Sequence, residues 1–427
     1  MPKRQREPDT APDDGPLAKT QRNEKPSESD VVKHQENVLR HPSIQRAQEI
    51  DAHPPMTELD NLLKKQKTDQ PIRNVLHWFR SKDLRIEDNK GLHAASQKAK
   101  EGKAALITAY LWSPKDLEWH GTSPARSDFI LENLRIMQKQ LKEKNIPMVI
   151  LTAQDRRDKS IVFMDFVKKN DISHIYANLE YEVDELRRDI QVVKLAQKEQ
   201  GLSFHVEHDQ TVVAPGTMTN KGGGLHKVFT PYHGAWLELI GKKPELLNVV
   251  DPPASNDEAV MSKYKHLFDD SVIPELPPNK QFASSEERDR IRKLWPAGHQ
   301  AAIDRLQHFL NTKVRDYARD RSFPGKDPSS RLSAYFSAGV ISPRQAVAAA
   351  KKANKGKTFN SGDAGIASWV REIVFREYYR QITVIVPHNA MNLPHNLKFH
   401  FVKYEDDYEA EKKWYEGTTG VPFVDAG

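Results

Sequence analysis

Trp369, Glu372, Arg376 and Tyr379 follow one another at helical spacing in the stretch SWVREIVFREYY, so on a helix all four share one face. A Trp, an acid and an Arg on one stripe have two readings. They can form a surface ion pair worth well under ~1 kcal/mol, or line a pocket in which Arg meets a cofactor and Glu accepts hydrogen bonds from a base edge. Ile366, Val370, Ile373 and Val374 point away from that stripe and are expected in the core. A second stretch, DPSSRLSAYFSAGVISPR from Asp327 to Arg344, follows a basic run of Lys313, Arg315, Arg319, Arg321 and Lys326. Pro328 is placed for a first helical turn, where Ser329 and Ser330 would satisfy free backbone donors. Such a start, with Arg nearby, is a ready anion site; it is equally an ordinary serine-capped loop between two core helices. Ser342-Pro343 opens the next helix.

These residues need a scaffold, and the chain has room for one. Its 427 residues are long enough for two domains with sizeable cores. Apolar runs at Val75 to Phe79, Ala104 to Trp112, Pro147 to Leu151 and His174 to Ala177 have the length of interior strands. Helical patterns lie between them: Ser123-Pro124 starts one with Ile130, Leu134, Met137 and Leu141 on one face, and Leu186, Ile190 and Val193 mark another. Alternation of this kind predicts a doubly wound parallel sheet over residues 72–210. No G-x-G-x-x-G or Walker motif follows a strand, and Gly222-Gly223-Gly224 reads as a flexible turn. Residues 211–285, rich in Pro, Gly and Asn with short helical pieces such as Tyr232 to Ile240, read as a linker. Residues 286–427 read as all helix.

Residues 1–71 are polar, charged and poor in aromatics, a composition that predicts a tail unable to bury a core. Lys3-Arg4-Gln5-Arg6 and Lys64-Lys65-Gln66-Lys67 suit nuclear targeting, nucleic-acid contact or a merely solvated tail. The net charge of +6 leans toward an anionic partner. Cysteine is absent, which excludes disulfides, thiolate metal sites and a cysteine nucleophile. No apolar run approaches a membrane span, so no membrane association is expected, and the start of the chain lacks the apolar core of a signal peptide.

Ser329-Ser330-Arg331-Leu332-Ser333, with Gly339 and Ser342-Pro343-Arg344, resembles the flavin-phosphate segment of the DNA photolyase/cryptochrome family, most closely class I cyclobutane pyrimidine dimer photolyases of fungal type. WFRSKDLRIEDN, Trp78 to Asn89, resembles that family's opening strand and loop; Phe229-Thr230-Pro231 with Trp236 resembles its interdomain crossing; the Trp369 helix resembles its W-x-x-E-x-x-W-R-E-F-Y-R helix. The resemblance implies an α/β antenna domain followed by an all-α FAD-binding domain that is incomplete at its C-terminus. It implies FAD contacts from Tyr317, Ser329, Ser330, Arg331, Leu332, Ser333, Trp369 and Arg376. DNA contacts would come from Arg321 and from Glu372, Ile373, Val374, Phe375, Arg376, Glu377, Tyr378 and Tyr379, with Glu372 and Phe375 at the lesion. Asp184 and Glu185 would hold a methenyltetrahydrofolate antenna; a charged helix N-terminus explains two acids there equally well.

Three departures from the family pattern stand out. Phe375 replaces the Trp that stacks on damaged bases, which keeps a π-face in weaker form. Tyr404 stands at the outermost Trp of the electron relay. Trp414 to Gly427 resembles a segment that normally begins a further helical portion, so a C-terminally truncated chain is expected. The function implied is light-dependent repair of cyclobutane pyrimidine dimers in DNA by reduced FAD, in a nuclear or also mitochondrial enzyme that is monomeric when complete. The alternatives are a cryptochrome-like light sensor and an inactive fragment.

Overall fold

A computed structural model of the chain describes residues 43–426, apart from 68, 120, 200, 221, 270, 324 and 404–406. Tyr404 and the Lys3 to Arg6 cluster therefore lie outside the described residues. The chain divides into two units, one of Glu49–Pro387 and one that includes His388–Gly427.

In the larger unit, β1 (Asn74–Phe79), β2 (Leu106–Trp112), β3 (Met148–Thr152), β4 (Ile172–Asn178) and β5 (Ser203–Glu207) form one sheet in the order β3-β2-β1-β4-β5. Every pairing is parallel, with Val75 opposite Leu106 on one side and His174 on the other. All six residues of the central β1 are buried, as a parallel strand covered on both faces must be. Alternate residues feed two cores. Val75 and Phe79 face Leu92, Ile130 and Leu134, while Leu76 and Trp78 face Phe163, Leu186 and Val193. The helix Pro124–Lys142 starts where the sequence placed it, with the Ser123 hydroxyl accepting the Arg126 N–H and Pro124 in the first turn. β5 escaped the sequence reading: SFHVE has only two apolar residues.

Two expectations change. Within the stretch expected to bury no core, the helix Pro55–Lys64 forms, and Met56 and Leu59, three residues apart, pack on the Leu76/Trp78 side. Gln66 then caps the sheet edge, accepting the Phe204 N–H at 2.8 Å and donating to its carbonyl at 2.9 Å. Within the expected linker, the helix Phe229–Lys242 buries Tyr232, Trp236 and Ile240, residues four apart that seat it in the core rather than across the surface. From Ser285 onward the regular elements among the described residues of this unit are helices, including His299–Thr312, Val314–Asp320, Ser333–Ala338, Pro343–Ala353 and Ala364–Ile385.

The loop after β1 is joined to the segment before Pro343. Leu84 N–H donates to the Ala338 carbonyl at 3.0 Å, and Arg85 donates to the Gly339 carbonyl at 2.9 Å. Buried Asp209 accepts from both Arg85 and Arg344, the latter at 2.7 Å. Gly339 has φ +66°, and a Cβ there would overlap the Lys82 carbonyl, so only glycine fits.

In the smaller unit, Asp407 caps the helix Tyr408–Glu416, and Gly417 ends it in the left-handed conformation. Asp425 accepts the Thr419 and Gly420 N–H groups at 2.8 and 3.0 Å. Trp414, Val421, Phe423 and Val424 are exposed.

Candidate functional site

Ala364–Ile385 carries the stripe. Asp363 caps it by accepting the Gly365 and Ile366 N–H groups, and Gly365 is required because a Cβ would overlap the Val314 carbonyl. Ile366, Val370, Ile373 and Val374 are buried, as the periodicity demands. Trp369 lies on the stripe yet is buried too. Its ring centroid is 5.2 Å from Phe309, which meets Tyr317 at 5.6 Å, and its indole N–H donates to Ser330 Oγ at 3.2 Å. Tyr317, Trp369 and Ser330, singled out separately in the sequence, are thus brought to one place.

Pro328 does not open a helix. Residues 327–332 are extended or irregular, and the helix is Ser333–Ala338. Arg331 is the reason: at φ +52° it cannot sit inside an α-helix. Ser329 Oγ accepts the Arg331 N–H at 3.1 Å, while Asp327 accepts from Arg331 at 3.2 Å and Lys313 at 2.8 Å. Leu332 is buried, whereas Ser329, Arg331 and Ser333 face solvent, and no side chain caps the Ser333 turn. Exposed hydroxyls, a guanidinium and free N–H donors are the donor set that a diphosphate requires. These residues fit that end of FAD.

Arg376 fits it less directly. Its guanidinium donates to the Gln210 carbonyl at 2.7 Å and the Phe336 carbonyl at 3.1 Å, and burial lowers its pKa to about 10. It positions the helix against Phe336.

The face expected to meet DNA is narrower than the sequence suggested. Ile373, Val374 and Glu377 are buried. Tyr378 is buried as well, its hydroxyl donating to the Lys227 carbonyl at 2.7 Å. Glu377 accepts from the N–H groups of Val212 (2.7 Å) and Val213 (3.1 Å), the Trp236 indole (2.8 Å) and the Tyr232 hydroxyl (3.3 Å). Burial nevertheless raises its carboxyl to about 7, against those donors. What reaches solvent is Glu372, Phe375 and the exposed Tyr379. Glu372 pairs with Arg321, whose guanidinium also reaches Ser368 Oγ at 3.4 Å. Phe375 stacks on Phe229, centroids 3.3 Å apart and planes 10° apart, so one ring face is covered. Glu372, Phe375 and Arg321, with His233, Phe359 and Arg371, line an open cavity of about 530 Å³.

Sequence reasoning missed Phe229, His233 and Arg371 as site residues. Helical spacing could have found Arg371, four positions before Phe375. Nothing local marks Phe229 as a partner of Phe375.

Asp184 and Glu185 open the helix Val183–Ala196 at the carboxyl end of β4. The strand order reverses between β1 and β4, which is where open α/β sheets place ligands. Asp184 pairs with Arg156 at 2.6 Å. Glu182 next to it takes Lys82 and Arg380, both at 2.6 Å, so the acidic turn lies against the Ala364–Ile385 helix. Among the described residues no cluster of His, Cys, Asp and Glu suits a metal, and no helix is long and apolar enough to cross a membrane.

Comparison with known proteins agrees with this geometry. A family model for DNA photolyase matches residues 75–253, and one for the FAD binding domain of DNA photolyase matches residues 369–427. The chain is 36% identical over 360 residues to a deoxyribodipyrimidine photo-lyase of Neurospora crassa, an alignment covering 83% of this chain and 58% of that protein. With the mitochondrial deoxyribodipyrimidine photo-lyase of Saccharomyces cerevisiae it shares 29% identity over 87% of this chain and 68% of the relative. The Vibrio cholerae enzyme of the same name is 30% identical over 82% of this chain and 70% of its own length. In fold the chain is similar to a bacterial class III photolyase from Agrobacterium tumefaciens, with TM-score 0.65 at 22% identity over 85% of this chain and 69% of that one. It is likewise similar to a Synechocystis cryptochrome, with TM-score 0.63 at 22% identity over 83% and 70% of the two chains. The chain thus spans 58% to 70% of these relatives. The family models match on both sides of the chain, and a relative 30% identical is covered over 70% of its length: the chain belongs to the DNA photolyase family.

Proposed function

We propose that this chain carries the flavin- and DNA-contacting surfaces of a light-dependent photolyase acting on cyclobutane pyrimidine dimers. The observation that carries the reading is the 530 Å³ cavity in which a carboxylate, Glu372, stands beside a half-covered aromatic ring, Phe375. A pyrimidine dimer extruded from the helix offers both complements: a base face to stack and base-edge donors to bind. Glu372 gives one oxygen to Arg321 and keeps the other for an incoming base edge. Phe375, its rear held by Phe229, offers its free face to the bases.

Reduced FAD, when bound, supplies the electron for ring splitting. The residues of this chain bind and orient. Ser329, Ser330, Arg331 and Ser333 hold the diphosphate; Trp369, fixed by Ser330 and Phe309, and Tyr317 wall the cofactor; Arg376 locks the helix in place. A folate antenna at Asp184 and Glu185, action on nuclear DNA and a monomeric state complete the reading. The test is the visible spectrum of the purified protein, followed by repair of ultraviolet-irradiated DNA under blue light. Bound flavin and light-dependent loss of dimers support the reading. A colourless protein that leaves dimers intact removes it for this chain.

A further inference from the structure

We propose that Arg371 is the phosphate-binding residue of the cavity, taking a backbone phosphate of the nucleotide whose base stacks on Phe375. This rests on the DNA-repair reading above and adds to it a residue that the family pattern did not supply.

The argument is one of commitment. Two arginines line the cavity, Arg321 and Arg371. Arg321 is the one expected to meet DNA phosphate, but its charge is cancelled by Glu372 and one donor is shared with Ser368. Arg371 is exposed and has no ion pair or hydrogen bond to another side chain among the described residues. It is held in place all the same. Its guanidinium carbon sits 5.6 Å from the Phe229 ring centroid and 5.8 Å from that of Phe375, contacts that restrain a cation without using its N–H donors. The five donors stay available in a planar fork that matches phosphate. His233 adds no competing charge: burial first, and Arg371 second, hold its imidazole below the ordinary value. The lining therefore presents one uncancelled positive charge beside one open aromatic face, and a single nucleotide unit presents one negative charge beside one base. The ligand class that matches both is a nucleic-acid strand with a base turned out of its stack.

The test compares the full chain with Arg371→Gln, Arg371→Lys and Arg321→Gln. Each is titrated with an oligonucleotide holding one thymine dimer and with its undamaged twin, across a salt series. Each lost phosphate contact lowers the slope of log K against log salt by about 0.7–0.9. Arg371→Gln should lose about that much slope on the damaged oligonucleotide and bind it roughly tenfold more weakly. Arg371→Lys should keep the slope, and unchanged circular dichroism should show that all variants fold. An unchanged slope in Arg371→Gln, or the loss appearing in Arg321→Gln instead, overturns the proposal. A wild-type chain that binds both oligonucleotides equally counts against dimer recognition, while a slope change at Arg371 still upholds its phosphate contact. Binding to neither oligonucleotide removes both ideas.

Discussion

Arg344 donates to Asp88 at 2.8 Å across 256 positions of sequence, and both side chains are almost wholly buried. Asp88 also accepts from the Ser342 hydroxyl, and Arg344 spends a second nitrogen on Asp209. The loop after the first strand and the segment expected to hold the flavin diphosphate are therefore tied by buried charges. Removing one partner leaves the other buried and unpaired, a change that costs about 3–5 kcal/mol. Arg344→Ala should accordingly lower the denaturant midpoint by far more than the loss of an exposed pair such as Lys242 with Glu238. Equal midpoints for the two variants would show that the buried cluster is no tie.

Glu377 sets a pH dependence. Burial raises its carboxyl from 4.5 to about 7 in the folded chain, so between those values the folded state holds a proton that the unfolded chain has released. Stability from this group is complete below about 4.5 and is lost as pH rises through about 7. Chemical denaturation across that window should show a falling contribution in the wild type that is absent in Glu377→Gln. The variant should also be less stable at low pH by roughly 1–3 kcal/mol, because an amide cannot accept from all four donors. A variant with the same pH slope as the wild type rules this group out.

Phe375 is expected to carry base stacking. Phe375→Ala should weaken binding of dimer-containing DNA by about 1–3 kcal/mol, and Phe375→Trp should bind at least as tightly as the wild type. Phe229→Ala, which removes the ring behind Phe375, should act in the same direction but more mildly, by about 0.5–1.5 kcal/mol. Fluorescence anisotropy on a dimer-containing oligonucleotide ranks the three, and an unaffected Phe375→Ala variant would exclude stacking at this ring.

Asp184 and Glu185 are the expected antenna residues. Replacing both with Ala should abolish near-ultraviolet absorption from bound folate while leaving the flavin band in place. Since Asp184 pairs with Arg156, Asp184→Asn alone should weaken the band less than the double change. Absorption that survives the double substitution moves the antenna elsewhere.

The central sheet was legible in sequence because buried parallel strands are continuous apolar runs: β1 to β4 each stand out. β5 did not, since Phe204 and Val206 alone mark it and its edge is completed by Gln66, a residue far away in sequence. The helix Pro55–Lys64 was hidden for a similar reason: a few apolar residues (Met56, Leu59, Leu62 and Leu63) in a charged stretch gain their meaning only from the sheet they cover. At the site, the Trp369 stripe was readable because helical spacing is local. The Ser329 turn was misread as a helix start because a left-handed Arg331 leaves no mark in residue types. Which arginine is neutralised, and which ring lies behind Phe375, are long-range facts that no window of sequence contains.

Gly339 sits where two chain segments touch with no room for a methyl group. The fit between the WFR loop and the flavin segment thus has no adjustable spacer: it is set by backbone meeting backbone. Side chains elsewhere can trade volume with their neighbours, but here the smallest possible enlargement, Gly339→Ala, has nothing to trade with. Such a change would leave the sheet on one side and the helices on the other individually sound while shifting their alignment by the width of an atom. Ser329 to Ser333 and Trp369, linked through the Trp369–Ser330 hydrogen bond, would shift together relative to the loop after the first strand. A mutational survey would therefore meet at this position an all-or-none response, in which occupancy of the flavin site falls while the secondary structure stays intact.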